Sequence, residues 1–346
     1  MTARVVLVGY GSAAQGIHVL RLAEAGLSPS VVVTANPERA AQAQVDLPGV
    51  LVVPDLASAL ELDGEAAVGL AVLASPSGVH AENALACIAA GVGVVVDKPL
   101  AARAADAAEV VAAAQAAGVP LTVFQNRRWD AEQRTLARLL AAGELGEVHR
   151  FERRWERWRP VPKDRWRENA APEDGGGLLL DLASHLVDSA VQLFGPVRSV
   201  YAELSAWTTP ADDEFFLAVT HTSGMRSHLS GSSVAGAPGP RTRVLGSAAA
   251  YVATQFEDEQ HVFGFDDAAG CTGWLVSGES RRPVPTEPGG IASFYAAVRD
   301  ALQLPVAERQ AAMPVDPQDA VHVLTVLDAA RLSAQEHRVV TLPAHG

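Results

Sequence analysis

The run Arg4-Val5-Val6-Leu7-Val8 ends directly in Gly9-Tyr10-Gly11-Ser12-Ala13-Ala14. A short, unbroken apolar run of this kind reads as a parallel strand buried on both faces. The glycine spacing after it is G-x-G-x-x-A, and a helix-compatible stretch follows over about Gln15 to Ala25. Strand, tight glycine turn and helix in that order are the opening unit of a dinucleotide-binding sheet. Gly9 permits the turn, Gly11 lets the backbone approach a pyrophosphate, and Ala14 is small enough for helix and strand to pack closely. Helix N-terminal amides then face the phosphates. Gly9, Tyr10, Gly11, Ser12, Ala13 and Ala14 are therefore candidate cofactor-binding residues.

The end of the second strand bears on which dinucleotide is bound. Val31-Val32-Val33 runs into Thr34-Ala35-Asn36-Pro37-Glu38-Arg39. No acid stands where NAD enzymes place one for the ribose 2′-hydroxyl. Arg39 suits a 2′-phosphate, with Thr34 and Asn36 as added hydrogen-bonding groups. NADP is the expected cofactor and NAD the alternative.

Strand-like and helix-like segments continue to alternate: a strand over 67–74, a helix over 79–90, a strand over 93–96, a helix over 103–117 and a strand over 121–124. This is the pattern of a doubly wound parallel sheet. Within it, Gly93-Val94-Val95-Val96-Asp97-Lys98-Pro99-Leu100 puts Asp97 and Lys98 at a strand's C-terminal end, the edge where open α/β sheets bind ligands. Beyond Glu147 several segments alternate polar with apolar, as in Val200 to Leu204 and Arg226 to Ser230. Such runs fit an open, mainly antiparallel sheet with one face on a core. Helices are expected near 291–301 and 317–335. The division predicted is a Rossmann domain over 1–124 and an α/β domain over 125–346.

A second constellation lies in the stretch from Gly177 to Gln192. Asp181, Ser184, His185, Asp188 and Gln192 fall at helical spacings of one face, among Leu, Val and Ala. A polar stripe on an otherwise apolar helix needs a partner or a water-filled cleft. Asp181 and His185 are compatible with an orienting carboxylate and a proton-transfer group, or with a buried structural pair or metal ligands. No zinc-type spacing accompanies His185, so no metal is expected.

The net charge of −13 argues against nucleic acid or an anionic membrane as partner, and no apolar run is long enough to span a bilayer. Cys87 and Cys271 stand alone, with no disulfide framework or C-x-x-C pair. The chain enters its first strand directly after Met1-Thr2-Ala3, without a leader pattern, which sets the expectation of a cytoplasmic protein. The segment from Arg150 to Arg167 holds eight basic residues interleaved with Trp155, Trp158 and Trp166. Such groups suit sugar hydroxyls and rings, or a subunit interface.

The glycine turn, Asp97-Lys98-Pro99 and Asp181-x-x-x-His185 after a triple glycine together resemble the Gfo/Idh/MocA family across the whole chain. Gln125-Asn126-Arg127-Arg128-Trp129-Asp130 and Arg157-Trp158-Arg159-Pro160 are similar to the branch with NADP-dependent scyllo-inositol dehydrogenases. The resemblance implies hydride transfer between a ring CH–OH of a cyclic polyol or sugar and the dinucleotide. It implies Lys98, Asp181 and His185 as catalytic and substrate-binding residues, with His185 the candidate base because its ordinary pKa of about 6.5 lies near working pH. Ser75 and Pro76 match a stretch that contacts the dinucleotide in relatives, with His80, Asp97 and Lys98 beside it. Asn126, Arg127, Trp158 and Trp166 are further substrate-side candidates. A homodimer or homotetramer is expected from the family's sheet packing and from the apolar stretch 215–219. Two alternatives stay open: a non-catalytic dinucleotide-binding sensor, and a glycoside-cleaving enzyme that retains its dinucleotide.

Overall fold

The computed structural model describes residues 4–64, 68–163, 165–253 and 269–343. Two compact units are present, Met1–Gln125 with Ile291–Val321, and Asn126–Gly290 with His322–Gly346.

The first unit is built on β1 (Val5–Val8), β2 (Pro29–Val33), β3 (Leu51–Val53), β4 (Leu70–Leu73), β5 (Gly93–Asp97) and β6 (Leu121–Phe124). All pairings are parallel, in the order β3-β2-β1-β4-β5-β6. β1, β4 and β6 are buried along their whole length, which is why β1 and β4 are runs of Val, Leu and Ala and β6 is apolar but for Thr122, rather than alternating sequences. The strand expected over 67–74 is β4; its Ala67 end lies outside the described residues. Strand order reverses between β1 and β4, so the crevice at their carboxyl ends is the ligand-binding edge of such a sheet.

Residues 291–321 lie past the expected boundary, yet they belong to this unit. They cover the edge strand β6. Gln310 accepts from the Leu121 N–H at 2.8 Å and donates to its carbonyl at 3.1 Å, while the Thr122 hydroxyl donates to the Val315 carbonyl at 2.9 Å. Side chains here satisfy backbone groups that an open edge would leave unpaired.

The second unit carries β7 (Val148–Glu156), β8 (Val197–Ser205), β9 (Glu214–His221), β10 (Arg226–Ser232), β11 (Thr242–Gly246), β12 (Ala250–Ala253), β13 (Cys271–Ser277), β14 (Ser280–Pro285) and β15 (Val340–Thr341). They form one sheet ordered β14-β13-β12-β11-β7-β10-β9-β8-β15. Its pairings are antiparallel except β7 with β10. β9 alternates strictly, so Phe215, Leu217 and Val219 enter this unit's own core while Phe216 and Ala218 stand on the other face. Three of the five residues of the apolar stretch 215–219 are thus explained without a second subunit.

Glu132, Arg153 and Arg241 form a buried ionic cluster under this sheet. Arg153 pairs with Glu132 at 2.7 Å and also donates to Gln133 and Ser189. Burial opposes ionisation of Glu132, but Arg153, Arg241 and Thr242 outweigh it and hold its carboxyl below the ordinary range. No described helix is long and apolar enough to cross a membrane.

Candidate functional site

At the end of β1, Gly9 has φ +90°, and a Cβ there would stand 2.9 Å from the Ala74 carbonyl oxygen and 3.0 Å from the Ser75 nitrogen. Any other residue would have to push the ends of β1 and β4 apart, so Gly9 is fixed by packing as well as by its dihedral. Gly11 differs: a Cβ there would meet nothing within 4 Å. Open space over its backbone, followed by helical turns from Ala14 to Glu24, is the cradle that a pyrophosphate requires. The residues present fit a dinucleotide. Ala14 is fully buried, as the close packing of helix and strand demands. The Tyr10 ring is also fully buried, and its hydroxyl donates to Asp46 at 2.9 Å, so only its backbone faces the turn. Ser12 is exposed and Ala13 half-buried at the start of the helix.

Past β2, Asn36 caps the helix Pro37–Asp46, its side-chain oxygen accepting from the Arg39 N–H at 2.9 Å. The Thr34 hydroxyl accepts from the Asn36 N–H at 3.3 Å. Both side chains thus shape the strand-to-helix turn, and Arg39 projects from the first helical turn as an exposed cation.

The ends of β4 and β5 are joined through His80. Its Nδ1 lies 2.8 Å from the Pro99 carbonyl and its Nε2 2.9 Å from the Ser75 carbonyl. The ring is buried, so His80 holds the Ser75-Pro76 and Lys98-Pro99 segments, the latter through a cis bond, and presents no free nitrogen to a ligand. Asp97 accepts from the Lys98 N–H at 2.8 Å. Burial raises the Asp97 carboxyl, but His18, Lys98 and His80 together hold it below the ordinary range. Lys98 itself is half-buried at the C-terminal edge of the sheet. Among 27 Lys and Arg residues, Lys98 and Lys163 are the only lysines.

In the second unit, the triple glycine leads into the catalytic-candidate helix for a steric reason. Gly177 has φ +92°, and a Cβ there would fall 2.1 Å from an Asp212 oxygen. Asp212 accepts from the Leu179 N–H at 2.6 Å and so caps this end of the helix, where burial pushes its carboxyl up. The helix does not open as a regular α-helix. Leu179–Ala183 is a π-helical segment, and the α-helix Ser184–Phe194 continues from it.

The wider π turn redistributes the expected polar stripe. Asp181 is half-buried, 3.7 Å from Arg167, and opens on a cavity of about 570 Å³ including its mouth. Arg157, Arg159, Lys163, Thr208 and Asp212 also line this space. His185 is buried against Trp155, with ring centroids 5.7 Å apart. Asp188 is taken up by a fork from Arg128, at 2.6 and 3.0 Å, and is structural. Ser184 is buried and Gln192 exposed.

Arg127 stacks on the face of Trp155 at 4.9 Å and pairs with Asp130 at 3.1 Å, which puts it on the same aromatic ring as His185. Asn126 begins the same turn, half-buried. Trp158 is 61% exposed and stands outside the cavity lining, although its neighbours Arg157 and Arg159 are part of it. Trp166 carries the Arg167 guanidinium at 4.9 Å and is itself outside the cavity lining, which includes Arg167. Sequence reasoning missed Trp155 as the support of His185, Arg241 stacked on it at 4.3 Å, and Asp212. Among the described residues no group of three or more His, Cys, Asp or Glu is arranged to hold a metal.

Fold and site define an α/β oxidoreductase with an NAD-binding Rossmann domain. Residues 3–125 match the oxidoreductase family with an NAD-binding Rossmann fold, and 133–252 match the GFO/IDH/MocA C-terminal domain. The chain belongs to the Gfo/Idh/MocA family. It is 34% identical to the uncharacterized oxidoreductase YdgJ of Escherichia coli, covering 98% of each chain. It is 28% identical to scyllo-inositol 2-dehydrogenase (NADP(+)) IolW of Bacillus subtilis, covering 99% of this chain and 96% of that one. The solved structure of the Bacillus subtilis oxidoreductase YvaA superposes with a TM-score of 0.85 at 27% identity, over 99% of both chains.

Proposed function

We propose that the protein oxidises a ring CH–OH of an inositol-like polyol or sugar with NADP⁺, and reduces the corresponding ketone in reverse. The observation that carries this reading is the placement of Lys98. The His80 bridge between the Pro99 and Ser75 carbonyls keeps that lysine at the carboxyl edge of the parallel sheet, beside the turn whose Gly9 abuts Ser75. When bound, the dinucleotide supplies the hydride acceptor at nicotinamide C4. The chain's own groups handle the proton and the oxygen. Lys98 donates to the substrate oxygen and stabilises developing alkoxide charge. An imidazole nitrogen of His185 takes the hydroxyl proton, and Trp155 holds that ring in place. The Asp181 carboxylate accepts from a substrate hydroxyl at the mouth of a cavity whose arginines suit a hydroxyl-rich ligand.

The exposed Arg39 and the neutral end of β2 support NADP over NAD. The scyllo-inositol dehydrogenase among the relatives supports a cyclic polyol. The outer face of the nine-stranded sheet, with Phe216 and Ala218, supports a homodimer or homotetramer formed through that face. Free cysteines at Cys87 and Cys271 support a reducing compartment, the cytoplasm. The test is the initial rate of dinucleotide reduction over inositol isomers and aldoses, with NADP⁺ and NAD⁺ side by side. Turnover with an inositol and preference for NADP⁺ are expected. Product formation without net dinucleotide reduction would instead identify a retained cofactor.

A further inference from the structure

The eleven residues 157–167 hold five cations, Arg157, Arg159, Lys163, Arg165 and Arg167, and one acid, in a chain whose net charge is −13. All five line the cavity on which Asp181 opens. The backbone aims the first two. The Arg157 N–H donates to the Ser232 carbonyl at 2.8 Å, the Arg159 N–H to the Ser233 carbonyl at 2.7 Å, and the Ala235 N–H to the Arg157 carbonyl at 3.0 Å. Alternate side chains of an extended run take opposite sides. Arg157 and Arg159 therefore share the cavity side, and Trp158 between them lies outside the lining.

Four carboxylates share this lining, and each is already engaged. Glu168 accepts from Arg165 at 2.9 Å, and Asp181 stands 3.7 Å from Arg167. Asp212 is turned to the Leu179 N–H at 2.6 Å. Asp213 accepts from the Trp207 N–H at 2.8 Å, the Thr208 N–H at 2.7 Å and the Thr208 hydroxyl at 2.7 Å. Two of the four acids are thus spent on backbone amides rather than on the cations beside them. Arg157 lies over the Trp155 ring at 4.9 Å. Arg159 and Lys163 are exposed, and neither meets a carboxylate among the described residues.

We propose that the ring substrate carries an oxyanion substituent, a carboxylate or a phosphate, which Arg159 and Lys163 hold while Asp181 takes a ring hydroxyl. This rests on the substrate role given to Asp181 above. A guanidinium fork matches two oxygens of either group, and an ammonium adds a point charge. Charges of one sign gathered over a cleft concentrate the opposite sign at its mouth. The local excess of cations runs against the charge of the whole chain, as a site for an anion does.

The test is calorimetric binding to the full-length protein saturated with NADPH, which fills the dinucleotide site and leaves no hydride acceptor. Glucose, glucuronate and glucose 6-phosphate are compared, because they differ only at C6; the tighter of the two anions names the group. At least one anion is expected to bind about tenfold more tightly than glucose at low salt, and the gap to narrow in about 0.5 M NaCl. Arg159→Gln and Lys163→Gln lie at exposed positions that the fold does not depend on. Each is expected to weaken anion binding about threefold, and the pair about tenfold, with glucose affected far less. Equal binding of all three sugars, binding of none, or anion affinities unchanged in the double variant would overturn the proposal. Failure of the proposed function reads differently: the anionic sugars bind as described, yet neither they nor any polyol reduces NADP⁺.

Discussion

The His80 imidazole lies between two acceptors, and the shorter contact joins its Nδ1 to the Pro99 carbonyl oxygen at 2.8 Å. The Ser75 carbonyl faces the other nitrogen at 2.9 Å. A neutral ring has one proton for two carbonyls, yet burial lowers the His80 pKa and favours that neutral form. His80→Ala is expected to release both strand-end segments. The dinucleotide KM should rise severalfold and kcat should fall, measured in steady state with the best polyol.

Stability should also respond to pH. His80 and His221 are both buried with lowered pKa, His221 between the Gly195 carbonyl and the Ser227 hydroxyl. The unfolded chain takes up these protons first, so stability falls as pH drops below about 6.5. The urea midpoint should decrease between pH 7 and pH 5, and less steeply in His80→Ala.

Removing one partner of the buried pair between Glu132 and Arg153 leaves an uncompensated charge. Glu132→Gln should cost about 3–5 kcal/mol in denaturant unfolding. Because the folded pKa of Glu132 is depressed, its contribution is present above the unfolded value of about 4.3 and is lost as pH falls through the folded one. The variant and the wild type should therefore converge in acid.

Gly177→Ala combines a positive φ with a Cβ 2.1 Å from Asp212, whereas Gly49 has φ +84° in open space. Gly49→Ala should cost about 1 kcal/mol for the backbone alone. Gly177→Ala should cost more and also lower kcat, because Asp212 caps the helix that carries Asp181 and His185.

Lys98→Met and His185→Ala should each reduce kcat by about 10²–10⁴ while dinucleotide affinity changes only a few fold. Arg39→Ala should cut the preference for NADP⁺ over NAD⁺ by about tenfold or more, the loss of one charge-assisted contact.

The Rossmann half was legible because its signals are local: buried Val runs and a glycine spacing read within a few residues of each other. The return of residues 291–321 was not, since Gln310 meets Leu121 across 189 positions. The contact of His18 with Tyr295 spans 277 positions and is equally out of reach of any local pattern. On the helix that runs to Phe194, Asp181 and His185 were found by α-helical spacing. The π turn at Leu179–Ala183 then altered which stripe residues are exposed, because that spacing presumes i→i+4 bonding throughout.

The central claim is hydride transfer from a ring carbon. It is tested most directly by incubating the protein with NADP⁺ and a ring-deuterated inositol and examining nicotinamide C4 of the reduced dinucleotide by NMR. Deuterium at C4 is the predicted result. Conversion of the polyol with no deuterium in the released dinucleotide, or no conversion of any polyol, would contradict it.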